Sequence, residues 1–231
     1  LDKFMKGEVA ANARVQVILP NGEFYDITGV KLLENKIIVV RETHRLAITV
    51  SNSDVCNKLI KLYEDNKQSA IPEESYKFNK DMETNDKEYD NCNFLNISWL
   101  RDQKDFVEPY KLILKYLRIV LTNHEIYIRN NFCPTYKNIF MTKTDNIRII
   151  KYDVGQQIKD HSDVGDTIRG SLTINLNDDY EGGEFRFFGG QVKVSLSAGE
   201  AMLFPGEPIW IHGTEPVTKG ARYAINCFLK Q

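Results

Sequence analysis

The chain has only four cysteines, Cys56, Cys92, Cys133 and Cys227, so scattered that no CxxC pair occurs. This spacing speaks against a zinc ribbon and a disulfide framework and fits a reducing, cytoplasmic setting. Each cysteine reads as a small hydrophobe in or near the core. No run of about 18 apolar residues is present, so no membrane-spanning helix is expected. The opening stretch LDKFMKGEVAANARV has no apolar centre and does not read as a signal peptide. An excess of charge is also lacking: 30 basic residues against 32 acidic ones leave a formal net charge of -2. A general nucleic-acid binder carries a basic footprint, so nucleic acid is not an expected partner. What is present is enough for a core, with 42% apolar and 11% aromatic residues. A length of 231 residues suits one large domain with room for a small appendage.

Along the chain, VQVIL (15–19) runs into the turn signal Pro20-Asn21-Gly22, and FYDIT follows. KIIVV (36–40) and LAITV (46–50) are rich in β-branched residues and read as strands. Residues 1–45 are therefore expected to form a β extension, in which no chemistry is legible. Ser51–Asp54 supplies N-cap candidates, and Val55, Leu59, Ile60, Leu62 and Tyr63 form an apolar stripe predicting a helix that ends near Asn66. The polar stretch 68–93, with Pro72 and many charges, reads as a long loop, either a lid or a mobile connection. FLNISWL (94–100) is predicted as a strand and 103–122 as a long buried helix. From 147 onward IRIIKY, SLTINL, GEFRFF, QVKVSL, AMLFP, IWIHG and RYAINCFL follow one another with turn signals between them, which predicts a sandwich or barrel.

Two of the four histidines, His161 and His212, fall in this strand-rich half. In His161-Ser162-Asp163, residues i and i+2 of an extended segment project to the same side. An imidazole and a carboxylate so placed can take two adjacent positions on a metal. His212, at the end of the apolar IWIH stretch, supplies a third. Two histidines and a carboxylate on one face of an octahedral ion leave three positions open, as in non-haem iron(II) oxygenases. HxD alone is a weak signal, and zinc hydrolases use the same ligand types.

Further motifs surround these residues. Tyr152-Asp-Val-Gly155-Gln156 precedes His161-x-Asp163; Gly182-Gly183-Glu184-Phe185 follows; and Gly199-Glu-Ala-Met-Leu-Phe204-Pro205 leads toward the second histidine. The last segment is His212-Gly-Thr-Glu-Pro216-Val217-Thr-Lys-Gly220-Ala-Arg222-Tyr223. Together they resemble the YxxGQxxxxHxD, GGE and HxxxPVxxGxRY segments of the prolyl 4-hydroxylase-like branch of the 2-oxoglutarate/iron(II) oxygenase family. The resemblance is dense over 147–231. It reaches weakly back to about residue 46 through SDVCNKLIKLYED (53–65), and it omits 1–45 and 68–93.

The resemblance implies a mostly β fold with supporting helices, a double-stranded β-helix (jelly-roll) barrel occupying 46–231. It implies Fe(II) held by His161, Asp163 and His212 as the catalytic centre, with 2-oxoglutarate and O2 as co-substrates and ascorbate as a supporting reductant. Arg222 would pair with the far carboxylate of 2-oxoglutarate through a bidentate, charge-assisted contact. Tyr152 and Thr173 would complete that pocket. Arg169 and Asn175 become candidates for substrate contact, although relatives often carry tyrosine where Asn175 stands. Trp210 and Phe228 belong either to the substrate mouth or to the core. The implied reaction is hydroxylation, with release of succinate and CO2, of a prolyl residue in a peptide or protein. Hydroxylation of a free amino acid or other small molecule, nucleobase demethylation, and a non-catalytic jelly-roll binding module remain alternatives.

Overall fold

A computed structural model describes residues 16–18, 24–26, 30–33, 36–39, 53–73, 92–137, 141–144, 146–163, 165 and 167–231. The chain groups into two compact units, residues 1–45 with 125–137, and residues 46–124 with 138–231. In the first unit β1 (Gln16–Ile18) pairs antiparallel with β2 (Phe24–Asp26), and β3 (Val30–Leu33) with β4 (Lys36–Val39). The expected turn at Pro20-Asn21-Gly22 and strand LAITV lie outside the described residues.

The second unit begins with α1 (Ser53–Asp65). It buries Cys56, Leu59 and Tyr63, the i, i+3, i+7 stripe of an amphipathic helix. A single 3-10 turn, Lys67–Ser69, leads into β5 (Ile71–Pro72), which pairs with β6 (Asn93–Asn96). The Glu73 N–H also donates to the Cys92 carbonyl at 2.8 Å. The predicted 68–93 loop is thus structured at both ends, which are held side by side; residues 74–91 lie outside the described set.

FLNISWL is a strand only as far as Asn96. There the Asn96 side chain accepts a hydrogen bond from the Trp99 N–H at 3.1 Å, an N-cap that turns the chain into the short helix α2 (Ile97–Leu100). The long helix, α3 (Val107–Asn131), starts and ends later than its apolar pattern predicts. Pro109 is tolerated in its first turn, and no glycine or proline follows until Pro134.

The remaining strands are β7 (Arg148–Tyr152), β8 (Ile168–Asn175), β9 (Glu181–Gly182), β10 (Phe185–Phe187), β11 (Val192–Val194), β12 (Ala201–Pro205), β13 (His212–Thr214), β14 (Val217–Lys219) and β15 (Arg222–Lys230). The larger sheet runs β12-β8-β15-β7-β6-β5 and the smaller β11-β10-β13, both antiparallel, with β9 and β14 forming a separate pair.

Strand alternation gives the larger sheet two different faces. Leu95, Ile149, Leu172, Ile174, Ile225, Cys227 and Leu229 share one core with Cys56, Leu59 and Tyr63 of α1 and Ile113, Leu117 and Val120 of α3. The opposite face carries Arg148, Ile150 and Tyr152 of β7, Ser171, Thr173 and Asn175 of β8, and Arg222, Ala224, Asn226 and Phe228 of β15. These residues stand in register across the strands. On this side Met202 and Phe204 of β12 pack with Phe185 and Phe187 of the smaller sheet. Two antiparallel sheets meet face to face, with helices on the outer side of one: the expected jelly-roll arrangement.

Candidate active site

His161 and His212 are joined through their main chains. Each N–H donates to the other's carbonyl at 2.8 Å, so the bridge extends the smaller sheet by one position beyond β13. Their ring centroids are 4.4 Å apart. Asp163, two residues on, is buried between them. Its Oδ1 lies 3.3 Å from His161 Nε2 and its Oδ2 3.4 Å from His212 Nε2. The three side chains offer ligand atoms all within 4.8 Å of one another, close enough for one ion. Ser171, at the start of the β8 face, donates its hydroxyl proton to Asp163 Oδ2.

The donor chemistry fits a divalent cation. His161 Nδ1 lies 2.8 Å from the Lys159 carbonyl and His212 Nδ1 2.9 Å from the Trp210 carbonyl. A carbonyl only accepts, so each Nδ1 carries a proton, and in the neutral ring Nε2 is left as a lone pair. Burial holds His212 below its usual pKa despite the opposing charge of Asp163, favouring that neutral ring. Burial acts to raise Asp163, but the contact with His161, the charges of both histidines and the Ser171 hydrogen bond outweigh it and hold the carboxyl low. Two lone pairs and a carboxylate that converge in a buried spot repel one another unless a cation stands between them. Imidazole-to-carbonyl bonds of this kind also orient metal-binding histidines.

A cavity of about 290 Å³ opens beside the three residues. Its wall includes Ser171, Thr173, Asn226, Phe228, Phe185 and Phe204, together with Arg148 and Glu73. Thr173 lines this cavity, its hydroxyl donating to Asn226 Oδ1 at 2.8 Å. Phe228 faces the cavity, whereas Trp210 packs against Phe187 and Phe188.

Arg222 and Tyr152 stand opposite each other on β15 and β7. Both are 1% exposed, and neither is part of the cavity wall. The Arg222 guanidinium carbon is 4.8 Å from the centre of the Phe185 ring and 5.0 Å from that of Tyr152. Arg222 Nη1 and the Tyr152 hydroxyl are buried with no hydrogen-bond partner among the described residues. Burial, above all, pushes the Tyr152 phenol far up, so it is a neutral donor. An idle guanidinium nitrogen beside an idle hydroxyl is the donor set that a carboxylate would satisfy, and leaving such groups unpaired costs about 1–3 kcal/mol each.

Asn175 is occupied by protein partners. It is wholly buried, its Oδ1 accepting from Arg222 Nε at 3.1 Å and its Nδ2 donating to the Leu196 carbonyl at 2.8 Å and to Tyr180 Oη at 3.1 Å. With its side chain committed in this way it holds Arg222. Arg169 also stands away from the cavity wall and donates to the Ile168 carbonyl at 3.2 Å.

Sequence reasoning missed Ser171, Asn226 and the pair Arg148–Glu73. Period-two alternation back from Thr173 and Tyr152 would have put Ser171 and Arg148 on the site face. No local pattern leads to Glu73.

In architecture this is a double-stranded β-helix protein, and solved structures of that fold are similar to it. A viral collagen prolyl hydroxylase from Paramecium bursaria Chlorella virus-1, in its 2OG complex, superposes with a TM-score of 0.54 at 17% identity over 79% of this chain and 92% of that one. A prolyl hydroxylase from Trichoplax adhaerens, in complex with a hypoxia inducible factor oxygen degradation domain peptide fragment, gives 0.61 at 15% identity over 82% and 84%. A Pseudomonas putida prolyl-4-hydroxylase gives 0.55 at 15% identity over 79% and 89%. At such identities the likeness establishes the fold.

The sequence match is narrower and more specific. Residues 147–230, which carry His161, Asp163, His212 and Arg222, match the family model of the 2OG-Fe(II) oxygenase superfamily. A PKHD-type hydroxylase of Delftia acidovorans is 44% identical over 73 residues, 30% of this chain and 29% of that protein. The match thus spans less than a third of that relative's length.

Proposed function

We propose that the chain is an Fe(II)- and 2-oxoglutarate-dependent dioxygenase that hydroxylates a prolyl residue in a peptide or protein, with release of succinate and CO2. The observation that carries this reading is the occurrence of two donor sets between the same two sheets. One is a converging His-Asp-His cluster whose ligand atoms fit a cation, and the other a buried Arg222–Tyr152 pair whose donors fit a carboxylate. In this reading residues 46–231 carry the activity. His161, Asp163 and His212 hold Fe(II), and Arg222 and Tyr152 hold the far carboxylate of 2-oxoglutarate, with Thr173 along its path.

Iron and 2-oxoglutarate, when bound, supply the oxidising power that places one oxygen atom of O2 in a substrate C–H bond. The protein's own groups do the rest. The Lys159 and Trp210 carbonyls fix the two imidazoles with Nε2 forward. The Ser171 hydroxyl orients the Asp163 carboxylate, and Asn175 sets the rotation of the Arg222 fork. Phe185, Phe204 and Phe228 keep water from the cavity, which shields a reactive centre. Ascorbate would serve only to keep the metal reduced.

The cavity of about 290 Å³ beside His161, Asp163 and His212 has room for a side chain such as that of proline. A free amino acid or other small molecule would fit the same space and is the second reading. The net charge of -2 gives no support to nucleic acid. No helix among the described residues is long and apolar enough to cross a membrane. The four free cysteines, three of them buried, support the reducing, cytoplasmic compartment expected from their spacing.

The test is succinate release from 2-oxoglutarate on addition of Fe(II), with mass spectrometry of proline-rich peptides, folded proteins and free amino acids. Fe(II)-dependent succinate together with 16 mass units on a peptidyl proline, the mass of one added oxygen atom (roughly), is the expected result. Oxidation confined to small molecules overturns the peptide reading, and no metal-dependent succinate at all overturns the oxygenase reading.

A further inference from the structure

Besides the metal cluster, the cavity wall holds one ion pair. Arg148 Nη1 donates to both oxygens of Glu73, at 2.9 and 2.7 Å. The two side chains are only 9% and 13% exposed. The guanidinium carbon lies 5.0 Å from the ring centres of Phe94 and of Phe228, so aromatic rings restrain the group. Across the strands Arg148 faces Asn226, and Asn226 faces Thr173. That row is the next one along from Ser171 and Phe228, whose serine bonds Asp163.

The way the pair is made is informative. A guanidinium binds a carboxylate best across an edge, with two parallel N–H···O bonds. Here both Glu73 oxygens fall on a single nitrogen. Arg148 Nε is buried and has no partner, and Nη2 makes no hydrogen bond among the described residues. The Nε–Nη2 edge is therefore left without an acceptor among the described residues, on a side chain that lines the cavity beside His161, Asp163 and His212. A pair whose sole task was to tie Glu73 to β7 would use that edge and leave no buried donor idle.

We propose that Arg148 is a substrate-recognition residue and that the substrate carries a carboxylate, held on the Nε–Nη2 edge while the carbon to be oxidised lies toward His161, Asp163 and His212. This rests on the oxygenase reading above and names the substrate class within it. Glu73 is then a positioning residue that fixes the rotation of the guanidinium. The carboxylate could be that of a small acid or that of an acidic side chain next to proline in a peptide; the chemistry is the same and the test separates the two.

The full chain, loaded with Mn(II) and 2-oxoglutarate, is titrated by calorimetry with two matched probe pairs. One pair is N-acetylproline and N-acetylprolinamide, and the other is a capped Gly-Pro-Glu-Gly peptide and its Gly-Pro-Gln-Gly counterpart. The carboxylate member of one pair is expected to bind about tenfold or more tighter than its amide, and the pair that responds identifies the source. In Arg148→Gln the ratio should fall to near one. In Arg148→Lys, which keeps charge but lacks the planar fork, it should fall part of the way. Glu73→Gln should lower the ratio while leaving the preference in place. Equal binding within both pairs by the unaltered protein overturns the assignment, as does a ratio that survives in Arg148→Gln. Loss of 2-oxoglutarate binding in Arg148→Gln, in place of the lost preference, also overturns it, because Arg148 would then hold the co-substrate. If Arg148→Gln fails to fold, the unaltered protein and Arg148→Lys decide the matter. An unaltered chain that binds no 2-oxoglutarate with Mn(II) present overturns the oxygenase reading itself, a result distinct from all of these.

Discussion

Ser171 and His212 bear on the candidate metal site in different ways. The Ser171 hydroxyl is a hydrogen-bond donor to Asp163 that stands on the sheet facing it, and such partners are commonly worth about 10–100-fold in metal affinity. Ser171→Ala is accordingly expected to weaken Mn(II) binding by about that factor in a calorimetric titration with no change in far-ultraviolet circular dichroism. His212 adds a pH dependence. Burial lowers its folded-state pKa below the ordinary value of 6.5, so the unfolded chain takes up its proton first on acidification. Stability of the metal-free protein therefore falls as pH drops below about 6.5 and continues to fall until the folded-state pKa is passed. Melting temperatures recorded between about pH 7 and pH 5 should drop more for the unaltered chain than for His212→Gln. An equal drop in both would show that His212 is not the acid-sensitive group.

Among the elements, the tight turn at Gly182-Gly183 decides where Arg222 comes to rest. Both glycines have positive φ, 77° and 72°. A Cβ on Gly182 would lie 2.3 Å from the Pro216 carbonyl oxygen, and one on Gly183 3.2 Å from Arg222 Cδ. The first contact is with backbone and cannot be relieved by a side-chain rotation. Gly182→Ala is expected to cost more than about 1 kcal/mol in a denaturant titration, since the left-handed conformation and the collision add. It should also displace β14 from β9. Unchanged stability would mean that the turn rearranges freely. Elements were legible where one rule dominated. The apolar stripe of α1 and the strands within IRIIKY and RYAINCFL form as predicted. FLNISWL failed as a strand because one polar group, the Asn96 side chain, caps a helix inside an apolar run.

At the scale of the whole molecule, ligand binding and folding are linked. Anything that binds only the folded chain stabilises it by about 2.7 kcal/mol at a hundred times its dissociation constant. Mn(II) is therefore expected to raise the melting temperature, and 2-oxoglutarate to raise it further only with the metal present. In Arg222→Met the metal increment should persist while the 2-oxoglutarate increment is lost. An undiminished 2-oxoglutarate increment in that variant would remove Arg222 from the co-substrate site. Asn175→Ala should diminish the same increment, because the guanidinium loses the acceptor that sets its rotation.

The sequence by itself determined the chemistry of the ligands. His161 and Asp163 are two residues apart in an extended segment, so strand geometry alone points both side chains the same way. The face shared by Thr173 and Asn175, and by Arg222 and its alternate neighbours on β15, follows from the same period of two. Tertiary structure decided which of these groups can act together. It brought His212 against His161 through a main-chain bridge, set Asn175 against Arg222, and placed Glu73 on Arg148. Each of these depends on cross-strand register or on burial, which are set by hydrogen bonding and packing between segments far apart in the chain. Local spacing fixes the direction in which a side chain leaves its own strand. The partner that awaits it is settled only when the sheets close on each other.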